Sequence, residues 1–284
     1  MVGVASDTEG PTVHVEHVAP EGGRDDGGVT ALLTLRDPKR RNAMSRALSD
    51  ALVAVLEQVQ ADERVHAVVV TGAADRGPAF CAGGDLDELA AVGRTTGADG
   101  EEAIRAVYAG FLALAACPLP TIAAVDGPAV GAGINMALAT DIRLAGDTAR
   151  FEPGFLRLGI HPGGGMTWMT QRLVGQQTTI AMLLTGEAMD AEAAERAGLV
   201  LRRVPGEVPT EPGTRSPVVA EALRMAGVSA RAPRDLVVTT KASVRTTAGL
   251  TDHAEAVSVE VGPQLESLRS AAFRDALERM RRRS

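Results

Sequence analysis

Cysteine, lysine and long apolar runs are all scarce in this chain, and each shortage excludes something. The two cysteines among its 284 residues, Cys81 and Cys117, have neither a metal-ligand spacing nor a disulfide framework. A reducing, cytoplasmic setting is therefore expected, and no metal. No apolar run approaches the roughly 20 residues that cross a bilayer, so no membrane partner is expected. Residues 1–10 contain neither a basic region nor an apolar core, so no secretory signal is expected there; residues 1–11 read as a flexible tail. Lysine occurs only at Lys39 and Lys241. The formal net charge of −7 argues against a nucleic-acid partner, because such binders draw much of their affinity from neutralising phosphates. The one dense basic run, Arg279–Arg283, reads as a solvated helix end.

What is present is enough apolar material, 45% of the chain, for one ordinary core or for a domain with an appendage. Two β-rich stretches, 12–18 and 29–35, flank a Gly-rich connection and predict a hairpin. Ser45 caps a predicted helix running to about Gln60, with Leu48, Leu52, Val55 and Leu56 on one face. Buried-type strands follow at 67–71 and 121–125, with a helix at 101–116 between them. The segment 127–133 breaks the pattern before a helix ending near Thr140 and a strand at 142–145. This alternation indicates α/β architecture. From about Gln176 the pattern is nearly all helical, at 176–185, 191–197, 216–227, 233–247 and 252–282, interrupted by a strand at 199–204. The expected division is a core over 12–205 and a helical part over 206–284.

Two segments carry the chemistry. Strand 67–71 runs into Phe80-Cys81-Ala82-Gly83-Gly84-Asp85-Leu86, and strand 121–125 runs into Gly127 through Gly131-Ala132-Gly133. Each places a turn of small residues between a buried strand and a helix. Backbone N–H groups there are free to face a ligand oxygen, aided by the helix dipole. Small residues leave room for the ligand to approach. Two such turns side by side supply two convergent donors, which is an oxyanion hole. Asp85 opens a helix and reads as its N-cap.

The order of these motifs resembles the crotonase, or enoyl-CoA hydratase/isomerase, superfamily. Arg40-Arg41-Asn42-Ala43-Met44 precedes them, Leu158-Gly159 and Pro162-Gly163 follow, and Phe273–Leu277 matches a family helix ending. The resemblance implies a spiral core of ββα units in two sheets, followed by helices that mediate assembly into a homotrimer or homohexamer. It also implies an acyl-CoA or enoyl-CoA thioester as substrate, with coenzyme A arriving on the substrate and no covalently bound cofactor. By motif, the thioester oxygen accepts from the N–H groups of Gly84 and Ala132. Arg40, Arg41, Ala43, Ala82, Gly83, Asp85 and Leu86 fall where the family grips CoA, and Lys241 falls where a neighbouring subunit often meets it.

The departures matter as much as the matches. A family hydratase uses two glutamates, and at those positions this chain has Asn135 and Phe155. Neither an amide nor a phenyl ring serves as a general base. An aromatic at the position of Phe155 also occurs in relatives that hydrolyse chlorinated aryl-CoA, but their nucleophilic aspartate is Gly163 here. His161 has a side chain suited to acid/base work near neutrality, and it reads equally as a loop-holding residue. Glu152 is a carboxylate alternative, and Asn135 retains the capacity to hold a water or a substrate carbonyl. Cys81 is not expected to be a nucleophile. Tyr108 and Trp168 read as core or pocket wall, and His14, His17, His66 and His253 as structural. Three readings remain open: a hydratase/isomerase-type enzyme, a thioester-binding protein with little catalysis, and another reaction that leans on the oxyanion hole.

Overall fold

The computed structural model describes residues 10–22, 27–209, 211 and 214–283. Most of the expected N-terminal tail, part of the first hairpin connection and part of the loop near residue 210 lie outside the described residues. Strand β1 (Thr12–Val18) pairs antiparallel with β2 (Val29–Arg36), Thr12 opposite Arg36, as the hairpin reading requires. Helix α1 (Arg46–Ala61) starts where Ser45 Oγ accepts from Leu48 N at 3.1 Å, satisfying one of the four donors a helix start leaves free. β3 (Val65–Gly72) then enters beside β2 in parallel. Helices α2 (Leu86–Val92) and α3 (Gly97–Ala116) lead to β4 (Thr121–Val125), which pairs parallel with β3.

Next come β5 (Pro128–Val130), α4 (Ala132–Leu138), β6 (Ile142–Gly146) and β7 (Arg150–Glu152). Helix α5 (Met166–Thr185), β8 (Met189–Asp190), α6 (Ala191–Ala197) and β9 (Arg202–Val204) complete the sheets. The chain ends in α7 (Pro217–Ala230), α8 (Arg234–Thr247), α9 (His253–Arg269) and α10 (Ala271–Arg283). Six strands form one sheet in the order β1-β2-β3-β4-β6-β9, and β5, β7 and β8 form a second.

Strand side chains alternate between faces, and the large sheet uses both. Leu33, Leu35, Val68, Val70, Ala123 and Val125 face a core shared with α1, α3 and α4. Leu32, Ala67, Val69, Ile122, Ala124 and Leu144 face the other way, against Val218, Val219, Ala222 and Ala226 of α7. This is why β3 reads as an unbroken apolar run rather than an alternating one.

The structure corrects the expected elements in four places. The helix expected from Gln176 follows Gly175, whose φ 77, ψ 169 is non-helical, and a further helical segment from Met166, not expected, precedes it. The helix expected over 252–282 is two, separated at Ser270 (φ −67, ψ 154). The strand expected over 199–204 is only three residues long. The 127–133 segment, read as a mere break, contains β5 of the second sheet. Among the described residues no helix is long and apolar enough to cross a membrane, and no group of three or more His, Cys, Asp or Glu is placed to hold a metal.

Candidate active site

Because β3 and β4 are parallel neighbours, the loops leaving their C-terminal ends emerge side by side. Those loops pair with each other. Cys81 N donates to Pro128 O at 3.2 Å and Val130 N donates to Cys81 O at 3.0 Å, so residues 81 and 129 lie as adjacent parallel strands. Two glycines make this approach possible. A Cβ on Gly133 would lie 2.2 Å from Cys81 O, and Gly83 holds φ +109 with Val130 O 3.2 Å from where its Cβ would be. No larger residue fits at Gly133 without separating the loops.

The same arrangement leaves two N–H groups unspent. Met44 N donates to Gly83 O (2.6 Å) and Asp85 N to Met44 O (2.9 Å), which turns the N–H of the intervening Gly84 away from Met44. In the second turn Gly131 N donates to Glu152 O at 2.9 Å, and Ala132 is the first residue of α4, before any helical acceptor exists. Neither Gly84 N–H nor Ala132 N–H has a partner among the described residues. Both residues are partly open while their neighbours Gly83, Asp85, Gly131 and Gly133 are buried.

A third segment clamps the first turn. Asn42 adopts φ 61, a left-handed conformation that asparagine tolerates better than most residues. Its Nδ2 donates to Ala73 O (2.9 Å) and Ala79 O (2.8 Å), while Oδ1 accepts from Asp37 N (2.9 Å). Ala82 N donates to Arg41 O at 3.1 Å, and Arg41 itself reaches Pro78 O at 3.0 Å. Arg40 Nε lies 2.6 Å from Asp85 Oδ2, while Asp85 also caps α2 by accepting from Glu88 N at 3.0 Å. Thus Arg40, Arg41, Ala43, Ala82, Gly83 and Asp85 do come together, and Leu86 beside them is 60% exposed. Asn42 falls within the Arg40–Ala43 segment that the resemblance places beside CoA, and an Asn between Arg and Ala just before a helix cap is also a turn signal.

The positions of the two expected glutamates are filled differently. Asn135, one turn after Ala132 on α4, donates from Nδ2 to Gly163 O at 2.8 Å, and its Oδ1 is buried without a donor. Phe155 points its ring at the second turn: a Cβ on Gly131 would lie 3.7 Å from Phe155 Cζ. Tyr108 on α3 stacks on Phe111 with ring centroids 5.3 Å apart. A Cβ on Gly163 would lie 2.1 Å from Tyr108 Oη, so no longer side chain fits there without displacing the tyrosine. Burial pushes the Tyr108 phenol above its ordinary value. Tyr108, read from sequence only as core or wall, brings its hydroxyl to Gly163, the residue whose carbonyl accepts from Asn135; nothing in its local pattern marks it out.

The side chains of the other candidates engage different partners. His161 is exposed, and since a carbonyl only accepts, its Nδ1–H donates to Pro162 O at 2.7 Å. It borders an apolar cavity of about 540 Å³ formed by residues 156–162 and α5, a cavity that none of Gly84, Ala132 and Asn135 lines. Lys241 Nζ donates to Leu119 O (2.6 Å) and pairs with Asp141, at the N-terminal ends of β4 and β6. Within its own chain it therefore sits at the opposite end of these strands from the two turns. Glu152 pairs with Arg150 at 2.7 Å. Trp168, expected in the core or a pocket wall, is 59% exposed, with the Arg172 guanidinium 3.9 Å from its ring centroid. Burial pushes the Cys81 thiol up to about 11, so it has no thiolate to offer near neutrality.

Similarity to known proteins agrees with this geometry. Residues 25–280 match the family model for enoyl-CoA hydratase/isomerase. A Mycobacterium tuberculosis protein named a probable enoyl-CoA hydratase, EchA14, is 47% identical over 248 residues, covering 86% of this chain and 90% of the relative. The 2,3-dehydroadipyl-CoA hydratase of Escherichia coli is 39% identical over 180 residues, 63% of this chain and 68% of that protein. An enoyl-CoA hydratase from Polaromonas superposes with a TM-score of 0.77 at 26% identity, over 93% of this chain and 95% of the other. One from Bacillus anthracis superposes with a TM-score of 0.81 at 24% identity, over 96% of each chain. The chain has the crotonase fold and belongs to the enoyl-CoA hydratase/isomerase family of enzymes.

Proposed function

We propose that this chain binds an acyl-CoA or enoyl-CoA thioester and polarises its carbonyl with the N–H groups of Gly84 and Ala132. The observation that carries this reading is the pair of unspent, partly open donors on two loops that hydrogen-bond to each other. Preorganised donors cost no reorganisation when charge develops on the oxygen, and losing one typically costs about 10²–10³ in kcat. The reaction is of hydratase/isomerase type in its shared step, stabilisation of a thioester enolate. Asn135 and Phe155 supply no carboxylate, so the glutamate route to adding water is absent. His161 is not assigned as the base, because its ring is exposed and its Nδ1–H is bonded to Pro162 O. In this reading residues 12–205 are the thioester-binding core, with Arg40, Arg41 and the 82–86 turn beside the CoA. Residues 206–284 serve assembly into a trimer or hexamer, and Lys241 acts in holding the N-terminal ends of β4 and β6.

Phe155 against Gly131 supports a second reading, a thioester-binding protein with little turnover, because it places an apolar wall where the family's second carboxylate stands. A panel of enoyl-, acyl- and hydroxyacyl-CoAs separates the two. Turnover of any member supports the enzyme; tight binding of members with no turnover supports the binder. Gly84→Pro deletes one donor and is expected to lower activity by about 10²-fold or more. Gly84→Ala, whose Cβ meets only the flexible Leu89 side chain at 2.9 Å, keeps the donor and controls for strain. Equal activity in the two variants would remove Gly84 from the mechanism.

A further inference from the structure

Two N–H groups serve one oxygen only if the turns that carry them keep a fixed relation. Strand β4 runs into the second turn through Asp126 and Gly127. Gly127 holds φ +71, and a Cβ on it would lie 2.4 Å from Pro78 C and 2.7 Å from Ala79 N. The root of the second turn is thus seated directly on the first loop, and no side chain fits between them. One residue further, Pro128 O accepts from Phe80 N at 3.1 Å and from Cys81 N at 3.2 Å. Whatever fixes the peptide between residues 126 and 127 therefore sets how the two turns meet.

Asp126 is built into that junction. It is 9% exposed and packs on Gly146 of the neighbouring strand, where a Cβ would lie 2.0 Å from Asp126 Oδ1. Its carboxyl faces the hydroxyls of Ser216 and Thr148. Ser216 stands at the N-cap of α7 but makes no side-chain cap bond, and its Oγ is buried with no partner among the described residues. Thr148 Oγ1 accepts from Gly127 N at 3.0 Å. That leaves the threonine its one proton to give, and the Asp126 carboxyl is the acceptor it faces. Asp126, Thr148 and Gly127 N–H thus form a chain that ends on the peptide entering the second turn. Burial pushes the Asp126 carboxyl above its ordinary value, against the pull of the two hydroxyls. A carboxyl raised in the fold costs stability as pH rises through its folded value, so stability alone gives no reason for an acid here.

We propose that Asp126 is a positioning residue for the thioester site: through Thr148 it holds the peptide that enters the second turn, and so keeps the Ala132 N–H aimed at the oxygen that Gly84 N–H also meets. It acts through Thr148 and the backbone, not by touching the thioester. What it supplies is a fixed acceptor rather than a charge. This rests on the acyl-CoA reading above and adds a residue to the machinery of that site.

Infrared difference spectra of the full chain with butyryl-CoA, isotope-labelled at the thioester carbonyl, test it, because donors to the oxygen lower the C=O stretch. The wild type is expected to lower that stretch on binding. Asp126→Ala is expected to lose about half of the downshift, one donor of two, with butyryl-CoA affinity within about threefold. A merely structural residue would weaken binding and leave the downshift of the bound thioester intact. Asp126→Asn keeps an acceptor for Thr148 and is expected to restore the downshift. Thr148→Val, at an exposed position, cuts the same link and decides the matter if Asp126→Ala does not fold. Because the two residues act in one chain, the double change is expected to lose no more than either change alone. A full downshift in Asp126→Ala or in Thr148→Val overturns the proposal, and so do an additive double loss and an Asp126→Asn that restores nothing. If the wild type binds butyryl-CoA with no downshift, the two-donor reading falls and takes Asp126 with it. If the wild type does not bind, the acyl-CoA reading itself falls.

Discussion

At the scale of single residues, much of the site consists of atoms that side-chain substitution barely touches. In the proposed site Gly84 and Ala132 contribute backbone N–H groups, and alanine donates as well as the glycine usual at its position. Cys81 likewise contributes its backbone, accepting from Val130 N at 3.0 Å, while its thiol is buried and inert. That burial has a measurable consequence. The folded thiol titrates at about 11 against an ordinary 9.0, so the native state holds its proton after the unfolded chain has lost it. Its contribution is fully present below 9.0 and is lost as pH rises towards about 11, at up to about 1.4 kcal/mol per pH unit. Denaturant titrations across that window should show wild type losing stability more steeply than Cys81→Ala. Parallel slopes would show the thiol to be solvated.

At the scale of elements, capping and periodicity were legible because their causes are local. Ser45 caps α1 and Asp85 caps α2 through their own side chains, as the sequence pattern predicts. The start of α5 was not legible, because Gly165 and Gly175 look like interruptions in a linear reading. In the fold Gly165 (φ 83) is the N-cap, and Gly175 is the non-helical kink where two helical segments meet. Gly175 stands in open space, but its φ 77 and ψ 169 belong to a region essentially reserved for glycine. Gly175→Ala should therefore lower unfolding free energy by about 1–3 kcal/mol, although the new methyl touches nothing. An unchanged midpoint in urea would mean that α5 straightens at no cost.

At the scale of the whole molecule, the C-terminal helices contrast with the rest. α7 contributes buried Val218, Val219 and Ala222 to the sheet, whereas no residue of α8 or α9 is buried. Val257, Val261, Leu265 and Leu268, each between 43% and 47% exposed, recur at the spacing of one helix face. Such a stripe is expected to be covered by another copy in the proposed trimer. Replacing Leu265 and Leu268 together by Glu should reduce the mass seen by light scattering, and an unchanged mass would place the subunit contact elsewhere. The sequence by itself determined the α/β class, the two Gly-rich turns, the helix caps and the residue types at the motif positions, Asn135 and Phe155 among them. Each of these is a property of local residue order or of a residue type at a motif position. Only the tertiary structure decided what long-range pairing controls. It joined the turns through Cys81 and Val130, drew Tyr108 against Gly163, left Asn135 Oδ1 without a donor, and put Lys241 at the other end of the strands from the turns. Residues far apart along the chain have no local pattern that reveals which of them will touch.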